Sequence, residues 1–151
     1  MSFLRIIGGL FKSRQIKAPK TSFVRPTSSS LRESVFNICQ NRIEGANFLD
    51  LFGGSGAMGL EALSRKAAHV TFVDNSKEAV SVIEENIRAL GVQDFTKVFL
   101  GDVFTILKRL GKSGTVFDIV YIDPPYRLYE DRTFVFRLLT SLQEYKIIRE
   151  G

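Results

Sequence analysis

From residue 46 onward, short apolar runs alternate with amphipathic stretches. Residues 48–52, 69–73, 97–100 and 116–122 are brief and nearly all apolar, the pattern of strands covered on both faces. Between and after them, residues 57–66, 76–90, 103–110 and 133–143 carry apolar positions at helical spacing, and Gly91 ends the longest of these helices. Such alternation predicts an α/β fold, a parallel sheet with helices on both sides. Ahead of it, residues 3–7 and 10–18 read as two strands joined at Gly8-Gly9, a hairpin signal. Residues 18–30 form a linker rich in Pro, Ser and Thr. A helix follows, with Ser30 and Glu33 at capping-box spacing and Leu31, Val35, Ile38, Cys39 and Ile43 at helical period; Gly45 ends it. The chain thus divides into an N-terminal hairpin, linker and helix over residues 1–44 and a core over residues 45–151. The apolar run 116–122 lies at an edge with no outer strand predicted, an aggregation hazard. We therefore expect a sheet lacking its C-terminal strands.

Charge changes this picture at one place. The 151 residues carry a net charge of +5, and residues 1–32 hold seven basic groups, from Arg5 to Arg32, and no acid. The other residues hold 14 basic and 16 acidic groups, so the whole excess lies in the N-terminal part. A basic segment on a near-neutral domain suits a polyanion, through displacement of counterions from phosphates; a merely solvated edge would look the same. The candidate contacts are Arg5, Lys12, Arg14, Lys17, Lys20 and Arg25. No apolar run approaches the ~20 residues that span a bilayer. We read no export signal, and the one cysteine, Cys39, cannot form an internal disulfide. The expectation is a cytoplasmic monomer. One cysteine and one histidine make no Cys/His metal cluster, so no metal is expected.

Ligands of such sheets bind beyond the carboxyl ends of the strands. The first core strand runs into Asp50-Leu51-Phe52-Gly53-Gly54-Ser55-Gly56-Ala57-Met58-Gly59. Gly54, Gly56 and Gly59 satisfy a dinucleotide pattern, which by itself is also met by purely structural turns. Three strands in succession end near an acid: Asp50, Asp74 and Asp102. Asp50 suits a cationic or amino-bearing ligand, Asp74 the hydroxyls of a ribose, and Asp102 an adenine amine. Asp102 equally suits the cap of the next helix. For Asp50, separated from its helix by three glycines, capping reads poorly. Phe52, Gly53, Ser55 and Gly56 complete the candidate cofactor loop.

Asp123-Pro124-Pro125-Tyr126 follows the fourth core strand. An exocyclic amine of a purine is a weak nucleophile, its lone pair being drawn into the ring. Asp123 and the Pro124 carbonyl can accept its N–H groups, the prolines fix the loop, and Tyr126 offers a face for the base. These four are the candidate catalytic residues.

Asp-Pro-Pro-Tyr with a glycine-rich first loop resembles the amino-methyltransferases of DNA, RNA and protein glutamine. Arg5-Ile6-Ile7-Gly8-Gly9, Arg25-Pro26-Thr27, Arg32-Glu33-Ser34-Val35-Phe36-Asn37-Ile38 and residues 50–65 resemble the RsmD family of bacterial 16S ribosomal RNA guanine-N2 methyltransferases. The resemblance implies a Rossmann-like sheet of the class I methyltransferases and S-adenosylmethionine as cofactor at residues 50–56, Asp74 and Asp102. It also implies a guanine amine at residues 123–126, in 16S ribosomal RNA of an assembling small subunit. Gly53 departs from the family's usual alanine, and Asp74 from its glutamate. A DNA adenine-N6 or protein glutamine-N5 methyltransferase would use the same loop; a dehydrogenase would need an acid/base and a substrate domain that are not visible.

Overall fold

Phe3–Arg5 (β1) and Gln15–Lys17 (β2) pair antiparallel in the computed structural model, which describes residues 3–19, 28–124, 128 and 131–149. The strands of the hairpin are shorter than predicted, and their connection is not a two-residue turn at Gly8-Gly9. It includes a 3-10 turn over Gly9–Phe11. The physical reason is close docking. A Cβ on Gly9 would sit 2.0 Å from the carbonyl oxygen of Ser64, and its φ is +80°. The glycines let the connection press on a neighbouring helix.

That helix belongs to the core. After Ser29–Cys39 (α1) come Asn47–Leu51 (β3), Ala57–Ser64 (α2), His69–Asp74 (β4), Lys77–Leu90 (α3), Thr96–Leu100 (β5), Val103–Lys112 (α4), Ile119–Ile122 (β6) and Arg132–Glu144 (α5). The sheet order is β5-β4-β3-β6, all parallel. Side chains alternate across each strand, so Phe48, Val70 and Phe72 bury with α2 and α3, while Leu49, Leu51 and Val73 bury with α4 and α5. The predicted α/β sheet covered on both faces is what forms.

Three expectations change. Ser28, not Ser30, caps α1, its Oγ accepting the Leu31 N–H. The periodic apolar residues of this segment divide: Val35 packs against the core and Ile43 joins it, Cys39 is half-buried, but Leu31 and Ile38 are exposed, Ile38 at 83%, while Arg32 and Phe36 are buried. Finally, the run 116–122 is not without an outer neighbour. The Phe117 N–H donates to the Ile147 carbonyl at 2.7 Å, and the Arg149 N–H to the Phe117 carbonyl at 2.9 Å, a parallel bridge on the outer side.

Candidate active site

β3 stands between β4 and β6, so the chain's winding reverses there and a crevice opens beyond the carboxyl ends of these strands. The loop after β3 is bound to β4. The N–H groups of Phe52 and Gly53 donate to the Val73 carbonyl at 2.8 and 3.1 Å. The Gly54 N–H donates to Asp74 Oδ2 at 3.0 Å, and Asp74 Oδ1 accepts the Ser76 N–H at 2.9 Å. Each Asp74 oxygen keeps a second lone pair. Phe52, non-glycine, is held at φ +62°, a strained conformation of the sort found at ligand sites.

Asp50 is the main correction. Only 2% exposed, it lies beneath the loop, and its Oδ2 accepts the Gly59 N–H at 3.1 Å. Gly59 is the third residue of α2, whose own cap residue, Gly56, supplies no side-chain bond. Asp50 therefore caps α2 across the glycines, the role that its distance in sequence made look poor. Burial pushes its carboxyl well above the usual carboxylate range; the Gly59 N–H opposes this, and the nearby charges of Asp74 and Asp123 add to it. Three acids thus lie close together where β3, β4 and β6 end.

Several backbone donors around the α2 N-terminus are used by the protein itself. Besides Gly54 and Gly59, the Ala57 N–H is taken by Ser55 Oγ at 3.2 Å. A pyrophosphate needs such donors free and finds acids repulsive. With these donors taken and three acids close by, the site suits a cationic, phosphate-free ligand better than a pyrophosphate.

Beside the acids is a cleft lined by Phe52, Asp74 and Asp102, together with Gly101 and Val103. Asp102 is also the cap of α4, its Oδ2 accepting the Thr105 N–H at 3.1 Å; the capping role read for it forms, and it lines the cleft as well. Sequence reasoning missed five further residues of this cleft: Val73, Asn75, Val103, Leu128 and Phe134. Phe134 comes from α5, capped through its own N–H by Asp131. Its ring tilts against Phe52 at 6.0 Å and meets Phe104 edge-on at 5.5 Å, and the Arg137 guanidinium covers Phe104 at 3.9 Å. Only the helical apolar period pointed to Phe134, and that signal does not separate core from cleft. Gly53 packs where a methyl would come within 3.0 Å of Ile83 Cδ1. Pro124 is buried directly after Asp123. Pro125 and Tyr126 lie outside the described residues. Among those residues no cluster of metal-ligating side chains occurs, and no helix is long and apolar enough to cross a membrane.

Of the basic candidates, Lys12 is exposed. Arg5, also exposed, donates to the Ser13 carbonyl at 3.0 Å. Arg14 donates to the Ala89 carbonyl at the end of α3, at 3.0 Å, and Lys17 pairs with Glu85. Lys20 and Arg25 lie outside the described residues.

The family described as conserved hypothetical protein 95 matches residues 4–151. Ribosomal RNA small subunit methyltransferase D of Escherichia coli (strain K12) is 36% identical over 124 residues, 82% of this chain and 61% of that protein. The protein of the same name from Buchnera aphidicola subsp. Acyrthosiphon pisum is 33% identical over 150 residues, 99% of this chain and 75% of its own. Among solved structures, a hypothetical protein of Thermus thermophilus superposes with a TM-score of 0.83 at 29% identity, over 98% of this chain and 81% of that one. With a match over nearly its whole length and with this sheet and glycine loop, the chain belongs to the RsmD family of methyltransferases.

Proposed function

We propose that the protein transfers a methyl group from S-adenosylmethionine to the exocyclic N2 amine of a guanine in small-subunit ribosomal RNA. The observation that carries this is the acidic end of the sheet, with Asp74 and Asp102 lining a cleft that also holds Phe52 and Phe134, and with Asp123 close enough to Asp50 to act on its charge. The names of the relatives supply the substrate class. Asp74 would hold the ribose hydroxyls, Asp102 the adenine amine, and Phe52 with Phe134 the flat faces of the adenine. When bound, the cofactor would supply a methyl group on a sulfonium, an electrophile that needs no further activation, the S–C bond breaking with its electron pair returning to sulfur to leave a neutral thioether.

The chain's own residues then position the amine. The Asp123 carboxylate and the Pro124 carbonyl accept its two N–H groups, which aims the nitrogen lone pair away from them and toward the cleft. As the nitrogen gains the methyl carbon it gives up one N–H proton, and the Asp123 carboxylate holds it. Tyr126 is the stacking face in this reading. N2 lies on the pairing edge of guanine, so the base enters unpaired or flipped. Residues 1–44 form the extension that holds the surrounding RNA, by backbone contacts that read no sequence.

Titration calorimetry with S-adenosylmethionine and with NAD checks the cofactor; binding of NAD alone would sink the reading. Asp74→Ala should weaken cofactor binding by about 1.5–3 kcal/mol. Asp123→Ala should slow methylation of 16S ribosomal RNA on the order of a hundredfold while leaving cofactor affinity near that of the unaltered protein. Mass spectrometry of the digested RNA identifies the product. Methylated adenine in DNA or methylated protein glutamine, with unmodified ribosomal RNA, would replace the proposed substrate.

A further inference from the structure

Asn86 projects from α3, is 2% exposed, and uses its amide on two separate elements. Its Oδ1 accepts the Lys17 N–H at 2.8 Å. Its Nδ2 donates to the Lys17 carbonyl and to the Ser55 carbonyl, both at 2.9 Å. Lys17 ends β2 of the basic hairpin, and Ser55 lies in the glycine loop between Gly54, held by Asp74, and Gly56 at the start of α2. Both amide protons are therefore committed, one to each element. The hairpin has other attachments: Ser64 Oγ accepts the Phe11 N–H at 2.9 Å and donates to the Gly8 carbonyl. These reach its connecting turn and the far end of α2, away from the loop.

We propose that Asn86 is a positioning residue that locks the cofactor loop at Ser55 to the hairpin strand at Lys17, so that cofactor affinity and seating of the hairpin are coupled. The inference rests on the cofactor assignment above. A short polar bridge between two elements, buried and fully paired, transmits a shift in either one, because loss of one partner leaves a buried group unsatisfied. Coupling of this kind is reciprocal: what favours the seated hairpin favours the cofactor, and the reverse.

The test uses the full chain and S-adenosylhomocysteine as probe. Asn86→Ala should raise its dissociation constant by about five- to tenfold. Ser64→Ala, which weakens the same hairpin at its turn but leaves it seated most of the time, should lower the melting temperature and leave that constant within about twofold. A lowered melting temperature in Asn86→Ala with unchanged affinity would reduce Asn86 to a packing role and overturn the proposal; equal weakening in both variants would overturn it too. Should Asn86→Ala fail to fold, hydrogen exchange on the unaltered protein decides. The probe should slow exchange at the Lys17 amide, and protection confined to residues 52–56 would overturn the coupling. If the unaltered protein binds no S-adenosylhomocysteine, the cofactor assignment itself falls, which is a separate result and takes this inference with it.

Discussion

A carboxylate kept beneath a loop beside two others is costly unless something compensates it, and Asp50 is such a group. Its folded value is raised above its unfolded one. Its contribution to stability is therefore full below the unfolded carboxylate value and is lost as pH rises through the raised folded value. Without ligand, the protein should lose thermal stability as pH climbs through that range. Asp50→Asn, which can still accept the Gly59 N–H, should flatten the decline; melting curves of both proteins across pH check this. A cationic ligand favours the ionised form, so S-adenosylmethionine should bind the unaltered protein more tightly as pH rises through the same range. Pairs of titrations at two pH values, with the Asn variant as control, would expose an affinity that does not move.

At the scale of elements, one side chain joins three of them. Glu61, fully buried in α2, accepts the N–H groups of Ile7 and Gly8 at 2.9 and 3.0 Å, and contacts Arg32 of α1 at 3.4 Å and Arg65 at 2.9 Å. Arg65 in turn lies over the Phe36 ring at 5.2 Å. Burial lowers the Arg32 pKa from its ordinary value and Glu61 opposes that; among the described residues Arg32 Nε and Nη2 have no hydrogen-bond partner. Glu61→Ala would leave Arg32 buried without its counter-charge and two backbone donors unmet, so it should cost about 3–5 kcal/mol of unfolding free energy. Denaturant titration measures it. A second element contact is sterically tighter. A Cβ on Gly59 of α2 would stand 2.3 Å from Phe72 Cε1 of β4. Gly59→Ala should therefore destabilise by about 1–3 kcal/mol through overpacking, although alanine is the better helix former.

Over the whole molecule, the asymmetry of charge is what points outward. The hairpin is seated on α2 and α3 through backbone and side-chain bonds, so its cations sit on a fixed surface. They are not equivalent. Lys17 is paired with Glu85, and Arg14 holds the last turn of α3, whereas Lys12 is exposed and Arg5 bonds only locally among the described residues. Replacing Lys12 with Ala should flatten the log–log salt dependence of RNA affinity by roughly 0.7–0.9 if it meets a phosphate. Lys17→Ala should change the slope less, since its charge is already partly neutralised. RNA affinities across a salt series for the three proteins, showing parallel lines throughout, would remove the hairpin from the RNA surface.

The sequence alone determined the kind of fold and which strand ends carry acids. Short apolar strands and periodic helices depend on local spacing, so all four core strands and their helices were legible within a few residues of their ends. Asp50, Asp74, Asp102 and Asp123 were legible because strand ends in such a sheet converge. What each acid does was decided only by the tertiary structure. Asp50 became a cap because the loop folds back to bring Gly59 to it, a distance set in space and not along the chain. The buried face of α1 was misread in part, at Leu31 and Ile38, because helical period shows that one stripe is apolar, not how far it meets a neighbour; Glu61, far along the chain, pairs with Arg32 in the interior, and Ile38 stays outside while Val35 packs on the core. Phe134 carried only a helical apolar period, which does not separate core from cleft, and Asn86 carried no local mark. Each acquires its place from partners in other elements, and only packing brings those partners together.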